Sequence, residues 1–165
     1  MTPASAAPLS RWVTVHDLPA DGLHVTIEAT PEERQALAMA FGLVALNSLI
    51  GSFRLSGSQQ RVEVKGAVEA EIDQTCVVTL EPFTTRVREE VEVEYAAPGT
   101  PAPHGEDAPD EIVGGRIDLG ALTAEFLSLG LDPYPRKPGV DFAYQAPDAE
   151  RDTPFAALGK LRGDK

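Results

Sequence analysis

Cys76 is the residue with the most chemistry open to it, and it is the single cysteine of the chain. It lies in EAEIDQTCVVTLEPF, residues 69–83, a stretch of β-branched and acidic residues. A nucleophilic cysteine needs a histidine or a helix N-terminus beside it. His16, His24 and His104 are scattered and belong to no recognisable motif. A zinc site needs about four ligands, usually in close pairs, and one Cys with three scattered His does not supply them. No metal and no cofactor is therefore expected. Cys76 shares parity with Val62, Val64, Val68, Ala70 and Ile72, so it is expected to face the core of a strand. There it would act as a small hydrophobe with a raised pKa and little reactivity.

Other reactive constellations are absent. His16 and Asp17 are neighbours, and adjacent strand residues point to opposite faces, so they form no dyad. GSFRLSGS carries glycines, but no phosphate-loop lysine follows at the required spacing. Carboxylates on an exposed face lack the desolvation that tunes a catalytic pKa. No catalytic residue is assigned, and no enzymatic activity is expected.

The elements that must position these residues are legible from periodicity. RWVTVHDL and LHVTIEA alternate as strands, with Asp21-Gly22 as a turn between them. TPEERQALAMAFGL predicts a helix from Pro31 to about Phe41, with Thr30 as N-cap, Glu33 closing a capping box and Gly42 as the stop. LNSLIGSFRLSGS predicts a strand. RVEVKGAVEAEIDQTCVVTL carries one parity from Val62 to Leu80, Glu81-Pro82 turns, and TTRVREEVEVEYAA returns as the second arm of a long hairpin. Asp118 is the expected N-cap of a second helix with Leu119, Leu122, Phe126 and Leu129 as its apolar stripe. TPFAALGKLR, near the end, predicts a third, short helix.

The fold class that follows is α+β: a mainly antiparallel, curved or barrel-like β-sheet with two to three short helices. Residues 1–10 are expected to be a flexible N-terminus and 11–165 a single domain, with a mobile Pro/Gly/Asp-rich loop at 97–110. The chain has 165 residues, enough for a real core, and its 24% charged and 42% hydrophobic composition is that of a globular protein. Its net charge of −12 and pI near 4.6 do not suit generic nucleic-acid binding and suit basic partners better. No signal peptide is read at the start, and LAMAFGLVAL is about half of a membrane span. A single cysteine gives no sign of an oxidising compartment. A cytoplasmic protein without membrane contact is expected.

GAVEAEIDQTCVVTLEPF, then IDLGALTAEFLSLGLDPYPRKPG, then a terminal PFAALGKL, together resemble the YceD/DUF177 family, the large ribosomal RNA subunit accumulation proteins of bacteria and plastids. The resemblance covers residues 62–165. Many relatives read Cys-x-x-Cys-Leu-x-Pro, with further cysteines downstream that suggest zinc. Here Thr79 stands at the second position and no later cysteine follows. The resemblance implies a non-catalytic ribosome biogenesis factor that promotes accumulation of large-subunit rRNA, with that rRNA or a pre-ribosomal particle as partner.

Two surfaces could serve that role. Tyr134, Arg136 and Lys137 in DPYPRKPG, with Lys160 and Arg162 in a locally basic tail, are candidate RNA contacts, a ring to stack on a base and cations to meet phosphate. Glu69, Glu71 and Asp73 on one hairpin arm and Glu90, Glu92 and Glu94 on the other are candidate protein contacts. If Ile72 pairs with Val91, Glu71 faces Glu92, Glu69 faces Glu94 and Asp73 faces Glu90. Such like-charged pairs destabilise a sheet unless solvent or a partner, such as a basic ribosomal protein, compensates. The alternative function is then a protein-binding scaffold or holdase.

Overall fold

A computed structural model describes residues 8–101, 105 and 108–143. Strands β1 (Trp12–Thr14), β2 (Leu23–Glu28), β3 (Ala45–Gly57), β4 (Arg61–Thr75), β5 (Pro82–Ala96), β6 (Asp110–Glu111) and β7 (Arg116–Asp118) alternate with helices α1 (Pro31–Phe41) and α2 (Leu119–Leu129). The main sheet has the order β2-β3-β4-β5-β6, antiparallel except for the short parallel β5–β6 pair. It is open, with β2 and β6 at its edges, and does not close into a barrel. The predicted tail helix, with Lys160 and Arg162, lies outside the described residues.

Both predicted helices form for the expected reasons. Thr30 Oγ1 accepts from the N–H of Glu33, and the Glu33 carboxylate accepts from the N–H of Thr30 at 2.9 Å. Gly42 ends α1 in the left-handed region, which only glycine enters at little cost. Glu33 also takes a bidentate pair from Arg11 at 2.8 and 2.9 Å. That guanidinium holds the Glu33 carboxyl below the usual carboxylate range. The apolar stripe of α2 differs from the predicted one. Leu119, Leu122, Thr123 and Leu127 are buried, while Leu129 is 69% exposed and Phe126 half-buried. The helix meets the inner face of the sheet along the 119/122/123/127 line, where the Thr123 hydroxyl returns its hydrogen bond to Leu119 O.

Two other local expectations need correction. RWVTVHDL is not one strand. It turns into a 3-10 helix at Val15–Asp17, which buries Val15. His16 then bonds Gln59 through Nδ1 at 2.8 Å. β1 pairs with β7 rather than with β2. The packed chain also begins before the expected boundary, since Leu9 is fully buried and Ser10 Oγ donates to Asp118 at 2.6 Å.

The core lies between the inner face of β2–β5 and the helices. Ile27, Leu49, Phe53, Leu55, Val62, Val64, Val68, Ile72, Val87 and Val91 supply the sheet side; Leu37, Leu119, Leu122 and Leu127 supply the helical side. A β-bulge at Asn47 reconciles Leu46 with Leu49, which are both buried although their spacing breaks the period of two.

The long hairpin has the predicted parity but not the predicted register. β4 ends at Thr75 and residues 76–81 form the tip, so the turn centre lies earlier than Glu81-Pro82. Ile72 therefore pairs with Thr85 instead of Val91, and Ala70 pairs with Val87. Sliding by an even number of residues keeps every side chain on its face, so alternation alone cannot detect it.

Candidate functional site

The tip of the hairpin is where the candidate residues and the cysteine meet. Cys76 N–H donates to Glu81 O, and Leu80 N–H to Cys76 O, each at 2.9 Å, so the tip closes on itself. Leu80 completes the turn with φ of 60°, a conformation rarely held by a branched residue. The segment after α2 then lies across this tip. Val77 N–H donates to Pro135 O at 2.9 Å, Lys137 N–H to Cys76 Sγ at 3.4 Å, and Lys137 Nζ pairs with Glu81 at 3.2 Å. An Asx turn, Tyr134 N–H to Asp132 Oδ1 at 2.9 Å, shapes the approach.

This clamp corrects the reading of Cys76. It is buried, as expected, but outside the main core cluster and beyond the end of β4. Its cover is the tip itself and residues 135–137. The thiol is also not raised. The N–H of Lys137 first, then the hydroxyl and N–H of Thr79, lower its pKa to about 6 against the opposing pull of burial. Donors that point at a sulfur favour its charged form. The folded value lies below the ordinary one, so the thiolate's stabilising contribution is complete above about pH 9 and is lost as the pH falls through about 6. The melting temperature of the native chain, relative to that of a Cys76→Ser variant, should therefore rise between those pH values. The thiolate absorbance of the folded chain should titrate near 6. A folded-state midpoint near 9 would refute the assignment.

Three of the five RNA candidates are thus brought to one place. Tyr134 is 71% exposed, and Arg136 and Lys137 are exposed beside it. Val77 and Leu80, 46% and 77% exposed, add apolar surface to the same tip. Periodicity missed these two because it ran the strand through Leu80. The signal available was Pro82, which fits the start of a strand better than its interior.

The six acidic candidates do lie on the outer face of β4 and β5, but not opposite one another. Glu71 faces Arg86 and Glu69 faces Arg88, and both couples form ion pairs. Lys65 faces Glu92 and binds it at 3.1 Å, and Arg61 pairs with Glu94. Asp73 accepts from Asn47 at 3.0 Å and from Thr84 at 2.7 Å. Glu90 faces Ala67 and makes no ion pair among the described residues. The outer face of the hairpin therefore carries mostly opposite charges across its strands, each exposed pair contributing about 0–1 kcal/mol; the directly opposed like pair, Glu63 with Glu94, is bound by Lys65 and Arg61.

Elsewhere, Arg116 stacks over the half-exposed Trp12 ring at 5.2 Å, joining β7 to β1. No group of metal-ligating side chains gathers among the described residues. No helix there is long and apolar enough to cross a membrane.

No curated protein and no solved structure matches the chain. A family model does: that of the large ribosomal RNA subunit accumulation protein YceD matches residues 64–162, which spans both arms of the hairpin, the tip, α2 and the clamp segment. With more than half of its length matched, the chain belongs to the YceD family.

Proposed function

We propose that the chain is a non-catalytic, cytoplasmic ribosome biogenesis factor that promotes accumulation of large-subunit rRNA by touching RNA of the pre-ribosomal particle with its hairpin tip. Membership of the YceD family supports the process. The observation that supports the contact is the clamp, which holds Tyr134, Arg136 and Lys137 on one exposed knuckle. A ring and two cations at one point suit an unstacked base and its phosphates. The acidic outer face of the hairpin arms would repel RNA, which favours contact at the tip over the arms. Docking of a basic ribosomal protein on the acidic outer face is the less supported reading, because most of those carboxylates already meet a cation of their own sheet.

The test compares cells lacking the protein with cells rescued by the native chain or by a Tyr134→Ala, Arg136→Ala, Lys137→Ala variant. The ratio of large- to small-subunit rRNA should fall in the deletion, recover with the native chain and stay low with the variant. In vitro, loss of two phosphate contacts should make the dependence of log K on log salt shallower by about 1.4 for single-stranded RNA. An unchanged ratio in the deletion would remove the proposed role. A normal rescue by the variant would remove the tip from it.

A further inference from the structure

Among the described residues, the outer edge of β5 is long and nearly bare. β6 covers it only at Tyr95 and Ala96. Ile112 N–H donates to Ala96 O on that side, while Ala97 N–H donates to Gln60 O on the β4 side. Backbone groups alternate sides along an antiparallel strand. Those of Thr84, Arg86, Arg88, Glu90, Glu92 and Glu94 therefore point away from β4. No other described strand pairs with that edge between Phe83 and Val93.

We infer that this edge pairs with the same edge of a second copy, antiparallel about a two-fold axis at Glu89. The argument is one of register. An edge-facing residue must meet an edge-facing residue, which restricts the positions of the axis. An axis at Arg88 sets that arginine against itself, and one at Glu90 sets that glutamate against itself. An axis at Val87 opposes Arg86 to Arg88, and one at Val91 opposes Glu90 to Glu92. Only the axis at Glu89 gives opposite charges throughout the outer face, Arg88 to Glu90 and Arg86 to Glu92, and leaves its one self-paired charge, Glu89, on the inner face. On the inner face it sets Val87 against Val91. The sequence RVREEVE is thus antisymmetric in charge about its centre.

Charged edges ordinarily prevent sheet pairing. Here they repel strands of other sign patterns and admit the chain's own. Each arginine would bridge a glutamate of its own β4, Glu69 or Glu71, and one of the second copy, which a guanidinium's five donors allow. The ladder from Arg86 to Glu92 would hold about eight backbone hydrogen bonds across the axis. Its one like-charged pair is Glu89 with its own copy. Gly130, after α2, packs near Val87 and Glu89, so the axis also brings the exposed Leu129 of the two copies toward each other.

Sedimentation equilibrium of the full chain over a concentration series tests this pairing. The native chain should show a monomer–dimer equilibrium. Arg86→Glu with Arg88→Glu, and separately Glu90→Arg with Glu92→Arg, should each raise the dissociation constant at least about tenfold. An equimolar mixture of the two variants should regain a dimer, because every cross-strand pair on the outer face is then opposite in charge. Glu89→Gln should tighten the dimer, and this readout stands even where a double reversal fails to fold. A native chain that stays monomeric throughout would overturn the proposal. So would a dimer whose dissociation constant none of these changes moves, which would place its interface elsewhere.

Discussion

An Asp118→Ala chain should lose about 3 kcal/mol of stability. The Asp118 carboxylate does two jobs. Its Oδ1 caps α2 by accepting from Gly120 N–H at 3.0 Å and Ala121 N–H at 3.1 Å. The same carboxylate takes Arg11 N–H at 2.7 Å and the Ser10 hydroxyl at 2.6 Å. Loss of a cap alone costs about 0.5–2 kcal/mol. Hydrogen bonds to a charged acceptor contribute about 1.5–3 kcal/mol each where no substitute donor or water takes over. Partial access of water at this half-buried site discounts the sum. Asp118→Asn should keep the cap and recover part of the loss. Urea denaturation measures both, and a loss below about 1 kcal/mol for the alanine variant would show that solvent replaces the carboxylate.

Gly66→Val should be at least as severe, about 3 kcal/mol or more. Gly66 sits on the inward parity of β4, between Phe53 of β3 and Val91 of β5. A side chain there would strike the Ser52 carbonyl oxygen and lie 2.9 Å from Phe53 Cα. Both obstacles are backbone, so no rotamer change relieves them. The β3 backbone leaves no room for a side chain here, and the glycine is what permits the pairing. Gly66→Ala should already weaken the sheet, and the valine variant should be largely unfolded or trapped without its native near-ultraviolet spectrum. A valine variant with native stability would mean that the strands can separate at this point without cost.

The elements that sequence disclosed are those whose signals are local. The Thr30–Glu33 box and Asp118 declare the starts of the two helices by their side-chain chemistry, Gly42 declares the end of α1 by its backbone freedom, and these three ends fall where those residues place them. Strand parity was equally legible, since Val62, Val64, Val68, Ala70 and Ile72 are all buried. Hairpin register was not. It depends on where the turn falls, and an even slip leaves the alternation intact. That slip put Glu71 opposite Glu92 on paper, where the sheet has Arg86. Asn47 was hidden for the opposite reason, because a bulge breaks alternation and resembles noise. Of the candidate site, the proximity of Tyr134, Arg136 and Lys137 followed from adjacency in sequence. Their attachment to Cys76 and Val77 did not, because it depends on two backbone N–H donors, one to a carbonyl and one to the Cys76 sulfur, that no periodic pattern encodes.

The pairing of β1 with β7 has a consequence in time. Trp12 and its neighbours are made early, yet Arg116, Ile117 and Asp118, which they pair with, are made about a hundred residues later. At about 5–20 residues per second the nascent strand waits roughly 5–20 seconds for its partner. During that interval Leu9 and Val13 have no β7 or α2 to cover them, while β2, β3 and β4 can already form their meander. The segment around β1 is thus synthesised well before its partner and is among the last to be fastened, and its closure by Asp118 coincides with the arrival of α2. A slow, late step in refolding that is abolished by deleting residues 1–14, with the meander still forming, would be the kinetic signature of that order.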